Sequence, residues 1–347
     1  MKLLNLVPCL GALLILGCTP DIPTQPADSE DASPIAGALS AVNSWTPKAA
    51  YPVPGLFDAF AAMAPNSAGQ SIVYLMGGTD GQGGTGFGVT AYNSATDSWT
   101  RMMSRVGVFG SNGAEKLGSR IYFTGGYNAV ETPSSFTNAV WAYDYARDRM
   151  IRKAALPIFG AEGVSGVISG KLYVLPGACS GDRYPNAGYC AAEPTRRFYR
   201  YDPAANTWTS RRQAPHYHRR GAAGVIDGKL YVVGGFHDLD PVANLDVYDP
   251  GSNSWKSLAP IPTAGTAIAE VIQGKLFVTV SGGDGLHTYA YNPKTNTWSA
   301  RAAPAHAHDA MVRVSINGNF RLLAVGGSEG AGPPPPLEPR ESELYIP

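Results

Sequence analysis

Charge is scarce in this 347-residue chain and evenly split, with 27 Lys and Arg against 27 Asp and Glu, 16% of residues in all. Without a basic excess the chain has no electrostatic footprint for a polyanion, so DNA and RNA drop out as expected partners. Cysteine is nearly absent: four residues are too few for a disulfide-dense scaffold. Apolar runs are also short. Apart from residues 2–18, no stretch approaches the roughly eighteen consecutive apolar residues of a membrane-spanning helix. What the chain has in quantity is 41 Gly, 28 Pro, 18 Tyr and 6 Trp, a mixture that favours many short strands joined by turns. At this length a search for internal repeats comes first.

The segment KLLNLVPCLGALLILGC (residues 2–18) opens on one lysine and runs apolar for about fifteen residues, the length of a signal-peptide core. Its end, Ile15-Leu16-Gly17-Cys18, resembles the lipobox of bacterial lipoproteins, which implies cleavage before Cys18 and lipid attachment to its sulfur. Leu16 is larger than the small residue usual there. Residues 18–40 hold four acids, four prolines and no aromatic, and read as a disordered tether. The expected organisation is therefore a signal peptide at 1–17, a lipidated Cys18 with tether to residue 40, and a folded body from 41 to 347. Removing residues 1–40 leaves 26 basic and 23 acidic residues, a net charge of +3. Thr19, in place of an aspartate after the cysteine, favours an outer-membrane or cell-surface location, with membrane contact only through the lipid. Cys179 and Cys190, the pair outside the export segment, are expected to form a disulfide in an oxidising compartment.

The body repeats. Gly-Gly pairs at Gly77-Gly78, Gly125-Gly126, Gly234-Gly235, Gly282-Gly283 and Gly326-Gly327, with Pro176-Gly177 in the remaining slot, each end an apolar run such as RIYFTGG or KLYVVGG. Tyr92-Asn93, Tyr143-Asp144, Tyr201-Asp202, Tyr248-Asp249 and Tyr291-Asn292 follow in the first five units. Trp99, Trp208, Trp255 and Trp298 lie six or seven residues further on, and Met150 replaces the aromatic in the second unit. This combination resembles the Kelch repeat over residues 42–347. The resemblance implies an all-β, six-bladed β-propeller whose recurring Tyr and Trp are core residues. The entry sequence Ser44-Trp45-Thr46 matches an outermost strand d, and Leu344-Tyr345-Ile346-Pro347 matches a strand c. The N-terminal strand is therefore expected to complete the last blade and close the ring.

In such blades the d-to-a and b-to-c connections emerge on one face, and Kelch propellers often bind partners there. All six histidines map to that face. His216 and His218 (PHYHRR) and His306 and His308 (PAHAHD) occupy d-to-a connections two blades apart, while His237 and His287 follow Gly-Gly pairs. The His-x-His spacing places each pair on one side of an extended segment, expected to point to the central mouth. With Arg219, Arg220, Asp309, Asp80, Tyr127, Asp284 and Glu329 at comparable loop positions, the face offers donors and acceptors for a sugar, a carboxylate or a peptide. A third metal ligand has no local signature, so no metal or cofactor is expected.

The leading expectation is a non-catalytic module that binds a protein or glycan. The alternative is a carbohydrate-active enzyme, similar to bacterial exported Kelch proteins that interconvert sialic-acid anomers, using loop His, Arg or acidic groups for proton transfer. A lesser alternative is a galactose-oxidase-like copper oxidase, whose ligand pattern Tyr217-His218 resembles in part. The glycine-rich Asp80 to Gly86 segment lacks the Lys-Ser/Thr of a phosphate loop, and Pro333 to Pro336 reads as a stiff spacer.

Overall fold

The computed structural model describes residues 42–52, 57–79, 88–128, 136–179, 193–327 and 341–347. Cys18 and the tether, Asp80, Glu329, Cys190 and the Cys179 side chain lie outside the described residues, and with them the expected lipid site and disulfide.

Six antiparallel four-stranded sheets, each a meander of strands a to d, make up the body. Blade I is Phe60–Pro65, Ser71–Met76, Gly88–Asn93 and Ser98–Arg105. Blade II is Ala114–Leu117, Arg120–Thr124, Val140–Asp144 and Arg149–Arg152. Blade III is Val164–Ile168, Lys171–Leu175, Phe198–Asp202 and Thr207–Arg211. Blade IV is Ala222–Ile226, Lys229–Val233, Leu245–Asp249 and Ser254–Ser257. Blade V is Thr266–Ile272, Lys275–Gly282, Gly285–Asn292 and Thr297–Arg301. Blade VI takes strands a to c from Ala310–Ile316, Asn319–Val325 and Glu341–Ile346, and its strand d from Ser44–Ala50. The protein is a six-bladed β-propeller closed as expected: Ser44 pairs with Ile346 and Trp45 with Tyr345.

Strand b is buried on both faces by the neighbouring blades, which is why it reads as an unbroken apolar run; all six residues of SIVYLM are enclosed. Strand d is outermost and alternates between exposed and half-buried positions. Two-residue turns at Asp227-Gly228 and Asn317-Gly318, with φ of 50° and 73°, then 51° and 76°, join strand a to strand b by the hairpin geometry that matches strand twist. Most Gly-Gly pairs mark close approach: a Cβ on Gly235 would sit 2.4 Å from the Arg219 carbonyl oxygen of the preceding connection. Gly282-Gly283 is different. Strands b and c of blade V extend until Gly282 pairs with Gly285, so this pair serves a tight hairpin.

Neighbouring blades are joined by a repeated clamp. At every turn from strand c to strand d stands an Asn or Asp in the left-handed region: Asn43, Asp97, Asp148, Asn206, Asn253 and Asn296, with φ of 58°, 50°, 47°, 53°, 49° and 54°. Its side-chain oxygen accepts the hydroxyl proton of the strand c tyrosine, as from Tyr92 to Asp97 at 2.7 Å and Tyr201 to Asn206 at 2.6 Å. The same side chain accepts a backbone N–H from the preceding blade, from Ala302, Ala49, Met103, Ala154, Arg212 and Ala259 in turn. In five blades the strand d indole then donates to the carbonyl of that same residue, as Trp208 to Ala154 at 2.9 Å and Trp45 to Ala302 at 2.7 Å. Asn43 performs this duty across the ring closure, binding both Tyr345 and Ala302.

Two predictions follow from the clamp. Asn43→Ala removes the acceptor of two hydrogen bonds at the seam and should lower unfolding free energy by about 1–3 kcal/mol in denaturant titration. Burial opposes ionisation of Asp97 and Asp148, but the N–H and hydroxyl donors around each, with Lys48 beside Asp97, hold both below the usual carboxylate range. Their contribution is present above the unfolded pKa near 4 and is lost as pH falls through the folded value. Asp97→Asn with Asp148→Asn, the residue of the other four blades, should keep the clamp and flatten the acid limb of the stability profile below pH 4.

Candidate functional site

The six strands a surround a central cavity of ≈ 470 Å³, lined among others by Ala62, Glu115, Ser165, Gly224, Glu270 and Asp309. Its mouth is built by the d-to-a connections, and a chain of backbone hydrogen bonds ties them together. Gly110 donates to the Asp58 carbonyl, Glu162 to Gly110, Arg220 to Glu162 and Ala267 to Arg220, at 2.7–3.0 Å. Each of the four residues Asp58, Gly110, Glu162 and Arg220 has a positive φ, 52°, 57°, 54° and 56°. Glycine adopts that conformation freely; an Asp, a Glu and an Arg hold it at a cost, a pattern concentrated at functional sites.

The three charged residues converge with Arg219. Glu162 is 5% exposed, and its carboxylate accepts from Arg219 Nε at 2.5 Å and from Arg220 Nε at 2.7 Å. Arg220 Nη2 also lies 2.6 Å from Glu162 and 3.5 Å from Asp58. Burial pushes the Glu162 carboxyl up, but Arg220 and Arg219 outweigh it and hold it below the usual range. Asp58 goes the other way. Burial raises it, and the Glu162 charge adds to that against the pull of Arg220.

Asp309 lines the cavity below the mouth. One of its oxygens accepts the N–H groups of Ala59 and Gly327 at 3.1 and 3.0 Å. Burial, reinforced by the charge on Asp58, pushes its carboxyl up to about 7. Deeper in the cavity burial raises Glu115 to about 8, with Glu270 adding repulsion. The site thus presents two fixed cations clamped on a buried anion, with Asp58 coupled electrostatically both to that cluster and to the raised carboxyl of Asp309.

The histidine pairs do not point into this mouth. His218 is 1% exposed; its Nδ1 lies 2.9 Å from the Gly234 carbonyl and its Nε2 3.1 Å from Asp246 on strand c. His308 repeats the arrangement with the Gly326 carbonyl at 3.1 Å and Glu343 at 2.8 Å. Both ring nitrogens of each histidine are thus engaged by oxygens inside the blade. In the Tyr217-His218 pair the histidine is turned into the blade, with both ring nitrogens on protein oxygens. His216 meets the outer side of Asp246 at 2.9 Å and His306 lies 3.6 Å from Glu343. The two histidines of the blade IV segment do share one side, and that side faces Asp246 on strand c, two strands outward from the channel.

Tyr127 is also interior, stacked on Phe109 at 5.1 Å and against Phe136 at 4.8 Å. His237 is exposed and stacks on Tyr217 at 4.3 Å and 5°, with Arg196 5.3 Å from the Tyr217 ring, forming a platform on the same face. His287 stands on strand c of blade V, 2.9 Å from Asp284. Among the described residues no group of three or more His, Cys, Asp or Glu is arranged to hold a metal.

Residues 219–262 match the Kelch motif. Blade IV thus carries the match to the Kelch motif. The chain is 29% identical over 177 residues to Kelch-like protein 38 of Homo sapiens, covering 51% of this chain and 27% of that protein. It is 26% identical over 241 residues to Kelch-like protein terF of Aspergillus terreus, covering 65% and 52%. The chain therefore spans about a quarter to half the length of these relatives. The solved structure of YjhT superposes with a TM-score of 0.64 over 82% of this chain and 93% of that one, at 18% identity, a likeness of fold.

Of the residues singled out from sequence, Arg219 and Arg220 meet on Glu162 at the mouth, and Asp309 lines the cavity below it. Asp58, Glu162 and Glu115 were missed. Aligning the residue two before strand a across the blades supplies the signal for Glu162, because a lone acid between Ala161 and Gly163 has no blade-packing duty.

Asp309→Asn retains both backbone hydrogen bonds through its amide oxygen. The wild-type carboxyl, raised in the folded state, favours folding least once ionised, so its contribution is lost as pH rises from about 4 through about 7. The variant should gain stability over wild type across that window in thermal melts. His218→Ala, by contrast, removes a buried hydrogen-bond partner from both Asp246 and the Gly234 carbonyl and should lower unfolding free energy by about 1–3 kcal/mol.

Proposed function

We propose that this protein is an exported, lipid-anchored Kelch propeller that binds a carboxylate-bearing protein or glycan at the mouth formed by its d-to-a connections. The observation that carries this reading is the Arg219-Arg220 pair held on the buried Glu162. A guanidinium fixed by one partner keeps its remaining N–H groups pre-ordered, so little entropy is lost when a second carboxylate docks. The platform of Arg196, Tyr217 and His237 extends the same face and suits a sugar or peptide ring. Kelch propellers generally act as protein-interaction modules, and a site of pre-paired charges needs no catalytic set. Anchoring through Cys18 would present this face from an outer membrane or cell surface.

A second reading rests on Asp309. A carboxyl near neutrality in the wall of the central cavity suits proton transfer on a bound sugar acid, as in an enzyme that interconverts anomers.

Glycan and peptide arrays probed with the mature chain distinguish the two. Binding to carboxylate-bearing peptides or glycans should fall at least about tenfold in Arg219→Gln; unchanged binding in that variant would overturn the site. Accelerated anomer exchange of a free sugar acid by NMR, lost in Asp309→Asn, would move the protein to the second reading. Mass spectrometry of the N-terminal peptide should show a diacylglyceryl group on Cys18, and an unmodified Cys18 would remove the anchor.

A further inference from the structure

Blade II breaks the repeat at two adjacent places, and a cavity lies between them. In the other five blades the strand d indole packs on the strand c tyrosine with centroids 5.0–5.1 Å apart. Blade II has Met150 there, and the clamp residue Asp148 is served by Ser104, whose N–H and hydroxyl bond to Asp148. Beside Met150 opens a cavity of ≈ 260 Å³ whose walls include Val106, Phe123 and Trp141, with Arg105 and Arg152 also lining it. Trp141 is the second break. It occupies the strand c position, two before the tyrosine, where the corresponding residues are Thr90, Tyr199, Asp246, Tyr289 and Glu343.

The wall carries polar groups that nothing in the blade uses. Arg152 lies 4.9 Å from the centre of the Trp141 ring. Neither Arg105 nor Arg152 has a carboxylate partner among the described residues, and the Trp141 indole N–H has no hydrogen-bond partner among them. A cation held over an aromatic wall, a second guanidinium and a free N–H donor make an apolar slot with a positive rim. The volume lies below the roughly 300 Å³ at which pockets for drug-sized ligands begin, which limits an occupant to one or two fused rings.

We infer that this flank of blade II is a binding site for a small aryl carboxylate, its ring filling the cavity beside Met150 and Trp141 and its carboxylate bridging Arg105 and Arg152. The site is separate from the mouth and does not depend on the function assigned there.

The test uses the full chain with 2-naphthoate, and with neutral 2-naphthamide as control, followed by calorimetry and tryptophan fluorescence. Saturable binding of 2-naphthoate is expected, weaker by at least about tenfold for the naphthamide and for Arg105→Gln with Arg152→Gln. Met150→Trp should refill the slot, abolish binding and raise the melting temperature. No saturable binding to the wild type at millimolar concentration, or unchanged binding in both variants, overturns the site; equal binding of the naphthamide overturns the carboxylate recognition. Should Met150→Trp not fold by circular dichroism, the arginine variant decides alone.

Discussion

The ring depends on one side-chain oxygen per blade. An Asn or Asp in the left-handed conformation turns strand c into strand d, accepts the tyrosine hydroxyl from its own blade and accepts a backbone N–H from the blade before. The conformation is strained for most residues, and Asn and Asp tolerate it best because a short polar side chain folds back onto local donors. Each half of the clamp orients the other. The tyrosine, fully buried in all six blades, can place its ring in the core only because its hydroxyl reaches an acceptor at the rim. The blade is thereby tied to its neighbour at a fixed height, and strands a are brought around the channel in matched register.

From that register comes the mouth. Once adjacent blades are locked, successive d-to-a connections meet closely enough for N–H and C=O to pair from blade I to strand a of blade V, through Asp58, Gly110, Glu162, Arg220 and Ala267. This pairing holds the backbone in the left-handed region whatever the side chain, so the positions of Asp58, Glu162 and Arg220 are free of any packing role. Blade II places Gly110 there. The charged residues in the other three connections are thus carried by backbone bonds, and their side chains are available to one another and to a ligand. Strain at the mouth is sustained by the clamp at the rim.

The fold was legible in the sequence because the repeat writes its packing rules six times. Gly-Gly, tyrosine and tryptophan at fixed spacing specify strands b, c and d, and the orphan strand at each end implies the shared blade. The site was less legible. Alternation in PHYHRR shows that His216 and His218 share a side, but period two is identical for a segment facing the channel and one facing the blade. What decides the matter is the acid on strand c, Asp246 in blade IV and Glu343 in blade VI, each about thirty residues away in sequence and visible as a partner only once strand c is paired. Gly282-Gly283 misled in a smaller way, since a glycine pair at the end of strand b serves a wide connection in blade IV and a tight hairpin in blade V. Asp58 and Glu162 carry no motif at all. Their importance is a property of backbone conformation, which composition and spacing do not express.

Redundancy in the clamp also explains where the repeat can depart from itself. Asp148 in blade II receives three donors from the preceding blade, the N–H groups of Met103 and Ser104 and the Ser104 hydroxyl through its carbonyl. With those in place the indole of the other blades is no longer needed to hold blade I to blade II, and Met150 can stand in its position. In blades IV and VI the departure takes the opposite form. There the strand c residue is an acid, and the neighbouring connection supplies a histidine whose ring nitrogen hydrogen-bonds to it, because a buried carboxylate must be partnered. The first departure releases volume and charge for a ligand, whereas the second consumes its polar groups internally. A polar cluster in a repeat protein therefore points to function when the adjoining joint is secured without it, and to structure when the joint depends on it.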